Sequence, residues 1–240
     1  DVSLNTGDER YVSWNWVAGG GTTSANADGS GATLASQIQT NSTAGFSIIT
    51  WTGESGSAGA GHNRKIAHGL GATPHFFITK NRTTSGNGSW VVYHHQLSDP
   101  SDKILYWHDT NAEVNWPYLN DSDPTSSIIN IGDDREVNSN SDNYVAWAWT
   151  EVPGFSKFGK YNGSGNGEGP FIYLGFKPQL FIVKETGNAN YWGVFDTARK
   201  SFNPNDVRQT VNHNYADNVT AEGAAGSNAM DFLSNGIKLR

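Results

Sequence analysis

Two hexapeptides, YVSWNW at residues 11–16 and YVAWAW at residues 144–149, alternate large apolar residues with small or polar ones. A period of two sends successive side chains to opposite faces, so this is the signature of a half-buried strand. In the second copy Tyr144, Ala146 and Ala148 are expected on one face and Val145, Trp147 and Trp149 on the other. Seven further segments read as strands: FSIITW (46–51), HFFITK (75–80), WVVYHH (90–95), SIINIG (127–132), PFIYLG (170–175), QLFIVKE (179–185) and YWGVFD (191–196). The spacers are rich in Gly, Asn, Ser and Pro, the residues that short chain reversals need. No stretch keeps a helical period. Residues 196–211 have room for a turn or two, which Pro204 limits.

Laid over one another, these segments repeat in order. AGFSIITWTGESGSAGAG from Ala44 resembles PGFSKFGKYNGSGNGEG from Pro153, and HGLGATPHFFITKN (68–81) resembles YLGFKPQLFIVKET (173–186). Pro74 then matches Pro178, Lys80 matches Lys184, and in SWVVYH and YWGVFD Trp90 matches Trp192. Three matches in series mark an internal duplication. Each unit runs from a GFS strand through a Gly-rich hairpin, an LG-x-x-P turn, an apolar strand and a Trp strand to a closing strand. YVAWAW terminates the first unit, and LNTGDERYVSWNW (4–16) carries the same ending for a unit otherwise missing from this chain. Either the chain is a fragment of a longer polypeptide, or the first hexapeptide completes the second unit or the same sheet in another subunit. The expected organisation is an N-terminal strand and polar connector (1–44), a first β-sandwich unit (45–153) and a second (154–240). The fold class is all-β, with two tandem related antiparallel β-sandwich units of jelly-roll or concanavalin-like type.

Composition sharpens this picture. Hydrophobic residues make up 36% of the 240, but Trp 9, Tyr 9 and Phe 11 let a core be built from few bulky groups. Charged residues are only 16% and Gly numbers 28, which suits a rigid, loop-rich extracellular or particle-associated protein better than a cytosolic enzyme. The formal charge is −7 and the Lys and Arg residues are scattered, which argues against nucleic acid as a partner. With Cys 0, disulfides, cysteine–zinc sites and thiol chemistry are all excluded. No apolar run is long enough to span a bilayer as a helix, so no membrane partner is expected. The opening DVSLNTGDER is too polar for a signal peptide. A signal already removed, another export route and carriage on a particle all remain open.

Catalytic and metal patterns find little support. His94 and His95 are adjacent, so a regular strand would turn them to opposite faces, and the other histidines lack metal-ligand spacing. Carboxylates cluster at GDDREVNSNSDN (132–143) and NDSDP (120–124), without the facing pair on a cleft strand that glycoside hydrolysis requires. NADGSG (26–31) and the Asp121/Asp123 loop offer oxygen ligands for calcium, but neither matches a full calcium loop and turn chemistry explains both. G-x-S-x-G is absent, and GESGSAGAGHNRK (53–65) lacks the G-x-x-x-x-G-K-[ST] pattern and the following helix of a phosphate loop, so it reads as a flexible hairpin or exposed loop. No cofactor, no metal site and no catalytic residue are expected.

The aromatics carry the remaining candidate chemistry. Trp90, Trp147, Trp149 and Trp192 lie in repeated strands and read as core anchors. The segment LYWHDTNAEVNWPYLND (105–121) is longer than its counterpart and holds Tyr106, Trp107, His108, Asp109, Asn115, Trp116 and Tyr118. These seven are the candidate glycan or partner contacts, because aromatic faces and flanking polar groups suit both. The alternative is that the two indoles fold back over the sandwich edge as a small satellite core.

YVAWAWTEVPGFSKFGKYNGSG (144–165), GPFIYLGFKPQLFIVKE (169–185) and DFLSNGIKLR (231–240) together resemble a repeated domain of uncharacterised function found in structural proteins of marine, cyanophage-like tailed bacteriophages. AGFSIITWTG and HGLGATPHFFITKN look like the opening of the same domain, so the resemblance spans almost the whole chain. It implies a non-enzymatic virion protein, a tail fibre, appendage or capsid-surface component. The partners it implies are other virion proteins, further copies of this chain and a host surface glycan. Two rivals follow from the residues: a lectin-like carbohydrate-binding module with an open groove, and a β-sandwich polysaccharide hydrolase or lyase.

Overall fold

The computed structural model describes residues 7, 11–19, 23–24, 31–54, 63–83, 88–165, 167–213 and 230–240. Most of NADGSG and of the Gly-rich run after Glu54 lies outside them. Among the described residues there are sixteen strands and no helix. They are β1 (Thr23–Ser24), β2 (Ser36–Asn41), β3 (Phe46–Thr52), β4 (Arg64–Ala67), β5 (Phe76–Asn81), β6 (Trp90–His94), β7 (Lys103–Tyr106) and β8 (Val114–Asn115). Then follow β9 (Ile128–Ile131), β10 (Asn143–Trp149), β11 (Phe171–Tyr173), β12 (Leu180–Val183), β13 (Gly193–Asp196), β14 (Gln209–Thr210), β15 (Met230–Leu233) and β16 (Gly236–Leu239).

The molecule is all-β and β-sandwich-like, with antiparallel pairing throughout. One eight-stranded sheet runs β1-β2-β3-β10-β5-β6-β7-β8. β10 lies at its centre, pairing Trp147 with Ile48 on one side and with Ile78 on the other. The alternation of YVAWAW is realised there: Tyr144, Ala146 and Ala148 face one core, while Trp147 and Trp149 pack on the opposite face. The two alanines leave room for neighbouring rings. Trp51 stacks on Tyr144 at 5.3 Å and donates its indole N–H to Val137 O at 2.9 Å. The two-stranded β4–β9 ribbon covers this face, adding Ile66, Ile129 and Ile131 to the core.

Residues 36–41, read from sequence as polar connector, form β2 and pair along β3 from Ser36↔Trp51 to Asn41↔Phe46. Conversely, residues 11–16 form no strand. The place that their aromatic alternation specifies, between β3 and β5, is already filled in this chain by β10. Trp14 and Trp16 remain 37% and 39% exposed.

The C-terminal part holds two three-stranded sheets, β11-β16-β15 and β12-β13-β14. They enclose a small core of Phe195, Met230, Phe232 and Ile237, with Phe181 and Val183 packed against it. Asp196 is buried beside this core, where it accepts the N–H groups of Ala198 and Arg199 at 3.0 and 2.8 Å and pairs with the Arg199 guanidinium at 2.7 Å. Residues 196–211 contain turns and no helical turn.

Candidate functional site

The second face of the eight-stranded sheet opens onto a cleft of about 2840 Å³. The same two-residue period that built the core delivers Phe76 and Ile78 from β5, Trp90 from β6, Leu105 from β7, and Trp147 and Trp149 from β10 to its floor. Residues 154–165 and the β12–β13 region form the opposite wall. Trp90 stacks on Trp147 at 5.6 Å, with the Lys80 ammonium 6.0 Å from the Trp90 ring. Trp149 contacts Phe46 at 4.9 Å, Phe76 at 5.5 Å and Trp16 at 5.7 Å. Small-molecule pockets run to roughly 300–1,000 Å³. A cleft this large, floored by indoles, suits an extended chain such as a glycan or a polypeptide strand, which aromatic faces grip without demanding one exact chemistry.

Three imidazoles gather beside the cleft, which His94 and His95 line. His75 and His95 lie 4.6 Å apart and His94 and His95 5.2 Å apart, ring to ring. Sequence spacing predicts opposite faces for His94 and His95, but β6 ends at His94 and the following turn carries His95 back beside it. His94 Nδ1 accepts the Gln96 N–H at 3.1 Å, and burial, reinforced by His95, lowers its pKa to about 4. His75 is also lowered, by burial first and then by His95, and its Nδ1 accepts the Glu151 N–H at 3.1 Å. Burial pushes the Glu151 carboxyl upward, yet the Phe158 N–H at 2.9 Å and the Lys157 ammonium at 3.0 Å outweigh it and hold the group below its ordinary value. Among the described residues no group of three His, Cys, Asp or Glu is placed to hold a metal ion.

The seven residues singled out between β7 and the chain after β8 do not converge on one site. Trp107 lines the cleft and meets Trp192 at 4.7 Å. Tyr118 is buried in the first core, its hydroxyl donating to Thr79 Oγ1, and burial raises its pKa. Trp116 is half-buried against the same core, and its indole N–H has no partner among the described residues. Tyr106 packs on that core too, its pKa raised by burial to about 12. His108 is exposed and accepts the Trp90 N–H at 3.2 Å. Asp109 accepts the Thr110 N–H at 2.6 Å, and Asn115 is exposed opposite Lys103.

This segment braces the C-terminal part. Trp192 donates its indole N–H to Tyr106 O at 2.7 Å, Glu113 N–H reaches Thr186 O at 2.9 Å, and Asn190 N–H reaches Thr110 O at 2.8 Å. Trp147 and Trp149 were legible as residues of one face from their alternation, and Trp90 as a strand residue, but all three were read as core anchors and are half-buried on the cleft floor. Their position on an open wall was not legible, because alternation does not say what covers each face.

No curated protein matches this chain. No solved structure matches it either. One family model does, described as a domain of unknown function (DUF7483), over residues 1–240. With its whole length matched, the chain belongs to the DUF7483 family.

Proposed function

We propose that this chain is a non-catalytic structural module of a virion surface, from a tail fibre, an appendage or the capsid exterior, built from two tandem β-sandwich units of jelly-roll or concanavalin-like type. The observation that carries the tandem reading is a repeated pairing scheme. β4 pairs with β9 as β11 pairs with β16, and the run β5-β6-β7 has its counterpart in β12-β13-β14. The LG-x-x-P turns agree as well, Gly71 and Gly175 both having positive φ, 72° and 82°. The virion assignment rests on the resemblance of residues 144–165, 169–185 and 231–240 to a repeated domain of phage structural proteins. A cysteine-free, loop-rich β body is what a durable particle surface needs, since packing and association replace disulfides. Its partners are other virion proteins and further copies of itself. Immunogold labelling of intact phage particles tests the reading: label is expected in many copies on the exterior, and particles that carry none overturn it.

A second reading, attachment to a host surface glycan, is favoured by the indole-floored cleft. A glycan array probed with the purified chain should give signals that Trp107→Ala weakens at least tenfold. An array that stays blank with folded protein removes this reading.

A further inference from the structure

The chain carries a formal charge of −7, yet its cleft is lined by more cations than anions. Among the described residues the cations are Lys157, Lys160, Lys177, Lys184, Arg208 and Arg240, against the carboxylates of Glu151, Glu185 and Asp196. Each carboxylate is already engaged within the protein. Glu151 holds the Phe158 N–H and the Lys157 ammonium, and Asp196 is buried on the Arg199 guanidinium. Glu185 accepts the side-chain amides of Asn188 and Asn190 at 2.6 and 3.0 Å. Among the cations, Lys157 pairs with Glu151, Arg240 pairs with Asp231, and the Lys184 ammonium donates to Glu185 O at 2.6 Å. Lys160 and Lys177 are exposed, and neither ammonium has a partner among the described residues.

Both free ammonium groups line the cleft away from its indole floor. Lys160 lies within residues 154–165, close enough to His94 for its charge to reach that imidazole. Lys177 lies shortly before β12. Gln96, Asn162 and Gln179 add side-chain amides to the same space. The cleft thus combines a flat apolar floor, neutral amides and two uncommitted positive charges. We propose that its ligand is an acidic polysaccharide, a chain of sugars that carry carboxylate or sulfate groups. The inference deepens the glycan reading and rests on it.

Each part of such a ligand meets a matching surface. The C–H faces of its rings lie on the indole floor. Neighbouring hydroxyls take the amides, each of which offers a donor and an acceptor. The carboxylates or sulfates turn to Lys160 and Lys177. A neutral glycan uses the floor and the amides but gains nothing from the lysines. Single-stranded nucleic acid is the competing polyanion, because bases also stack on indoles. Its affinity comes from neutralising many phosphates along the strand, and two free lysines on a chain of net charge −7 supply too few. An acidic polypeptide brings charge without a flat apolar face for the floor.

Binding of the full chain to polygalacturonate, dextran sulfate, unmodified dextran, polyglutamate and a single-stranded thymidine oligomer tests the inference. One or both acidic polysaccharides should bind about tenfold or more tightly than dextran, the two arms separating carboxylate from sulfate recognition. Release of counterions from two neutralised charges should weaken that binding about 25-fold between about 50 and about 500 mM salt. Lys160→Glu with Lys177→Glu should weaken it by about tenfold or more. Lys65→Glu, exposed on β4 outside the cleft lining, alters net charge as either single change does and should have little effect. Dextran binding as tightly as the acidic polysaccharides, or Lys65→Glu as damaging as the cleft variants, overturns the charge selection and leaves the glycan reading standing. Tighter binding of the thymidine oligomer or of polyglutamate overturns the polysaccharide as ligand. A folded chain that binds none of the polysaccharides removes the glycan reading and this inference with it.

Discussion

His68 is fully buried, and both ring nitrogens are committed: Nδ1 accepts the Leu70 N–H at 3.2 Å and Nε2 donates to Thr125 O at 3.1 Å. That arrangement requires the neutral imidazole, and burial lowers the pKa to about 4 against an ordinary 6.5. His94 is lowered to about 4 for the same first reason. Both shifts are downward, so the unfolded chain takes up protons below pH 6.5 that the folded chain refuses until about pH 4. The stability that these groups contribute is complete above pH 6.5 and is lost as pH falls towards 4. Urea denaturation between pH 7 and 4.5 should show unfolding free energy falling by about 1.4 kcal/mol per pH unit for each linked imidazole. His68→Gln should remove about one proton from that slope, and a profile flat across this window would contradict the assignment. No spacing rule singles out His68, because its role comes from two backbone groups, one of them at distant Thr125.

β10 shows how far a strand's own residues specify its place. Its alternation is strong enough that the face of every aromatic and alanine side chain could be assigned before pairing was known, and β3, β5, β6, β9, β11, β12 and β13 also fall within expected segments. β2 was foreseen only as extended strand or linker within the polar connector and β4 not at all, because SQIQTN and RKIA carry little pattern of their own, and β3 and β9 turn them into strands by pairing. YVSWNW has the opposite history, a strong pattern that joins no sheet among the described residues. The two GFS segments give a comparison. Gly45→Ala forces a Cβ to within 2.6 Å of a backbone oxygen at φ 64°, whereas Gly154→Ala meets open space at φ 78°. The second should cost only the left-handed penalty, about 1–2 kcal/mol. The first should cost that plus displacement of the chain at Thr150, and chemical denaturation should rank Gly45→Ala as clearly the more damaging. Equal costs would mean that the close approach at Gly45 is absent in solution.

Trp192 joins the two halves of the molecule. It is 4% exposed, packs with Ile78, Val92 and Leu105 on the large sheet, and hydrogen-bonds to Tyr106 O. Trp192→Ala removes that anchor and leaves a carbonyl unpaired, at a cost of roughly 3–5 kcal/mol. Because the loss falls between the halves, unfolding should split into two transitions, with cleavage by protease gained in the chain between β10 and β11. A single transition displaced only slightly would show that the halves are held together elsewhere. Trp90 and Trp192 occupy like places in SWVVYH and YWGVFD, yet the two indoles do different work. Trp90 stacks on Trp147, and Trp192 docks its half onto the other.

An all-β body without disulfides, the faces of its central strand and the recurrence of its segments followed from residue order, since strand period, turn composition and internal likeness are local properties. Which strands become neighbours, which aromatic face is covered and which stands open, and that three histidines meet, followed only from contacts between segments far apart in the chain. The two hexapeptides state the difference most directly. They share one pattern, and one becomes the centre of an eight-stranded sheet while the other stays outside every described sheet, because pairing depends on which segments meet in space and not on the pattern alone.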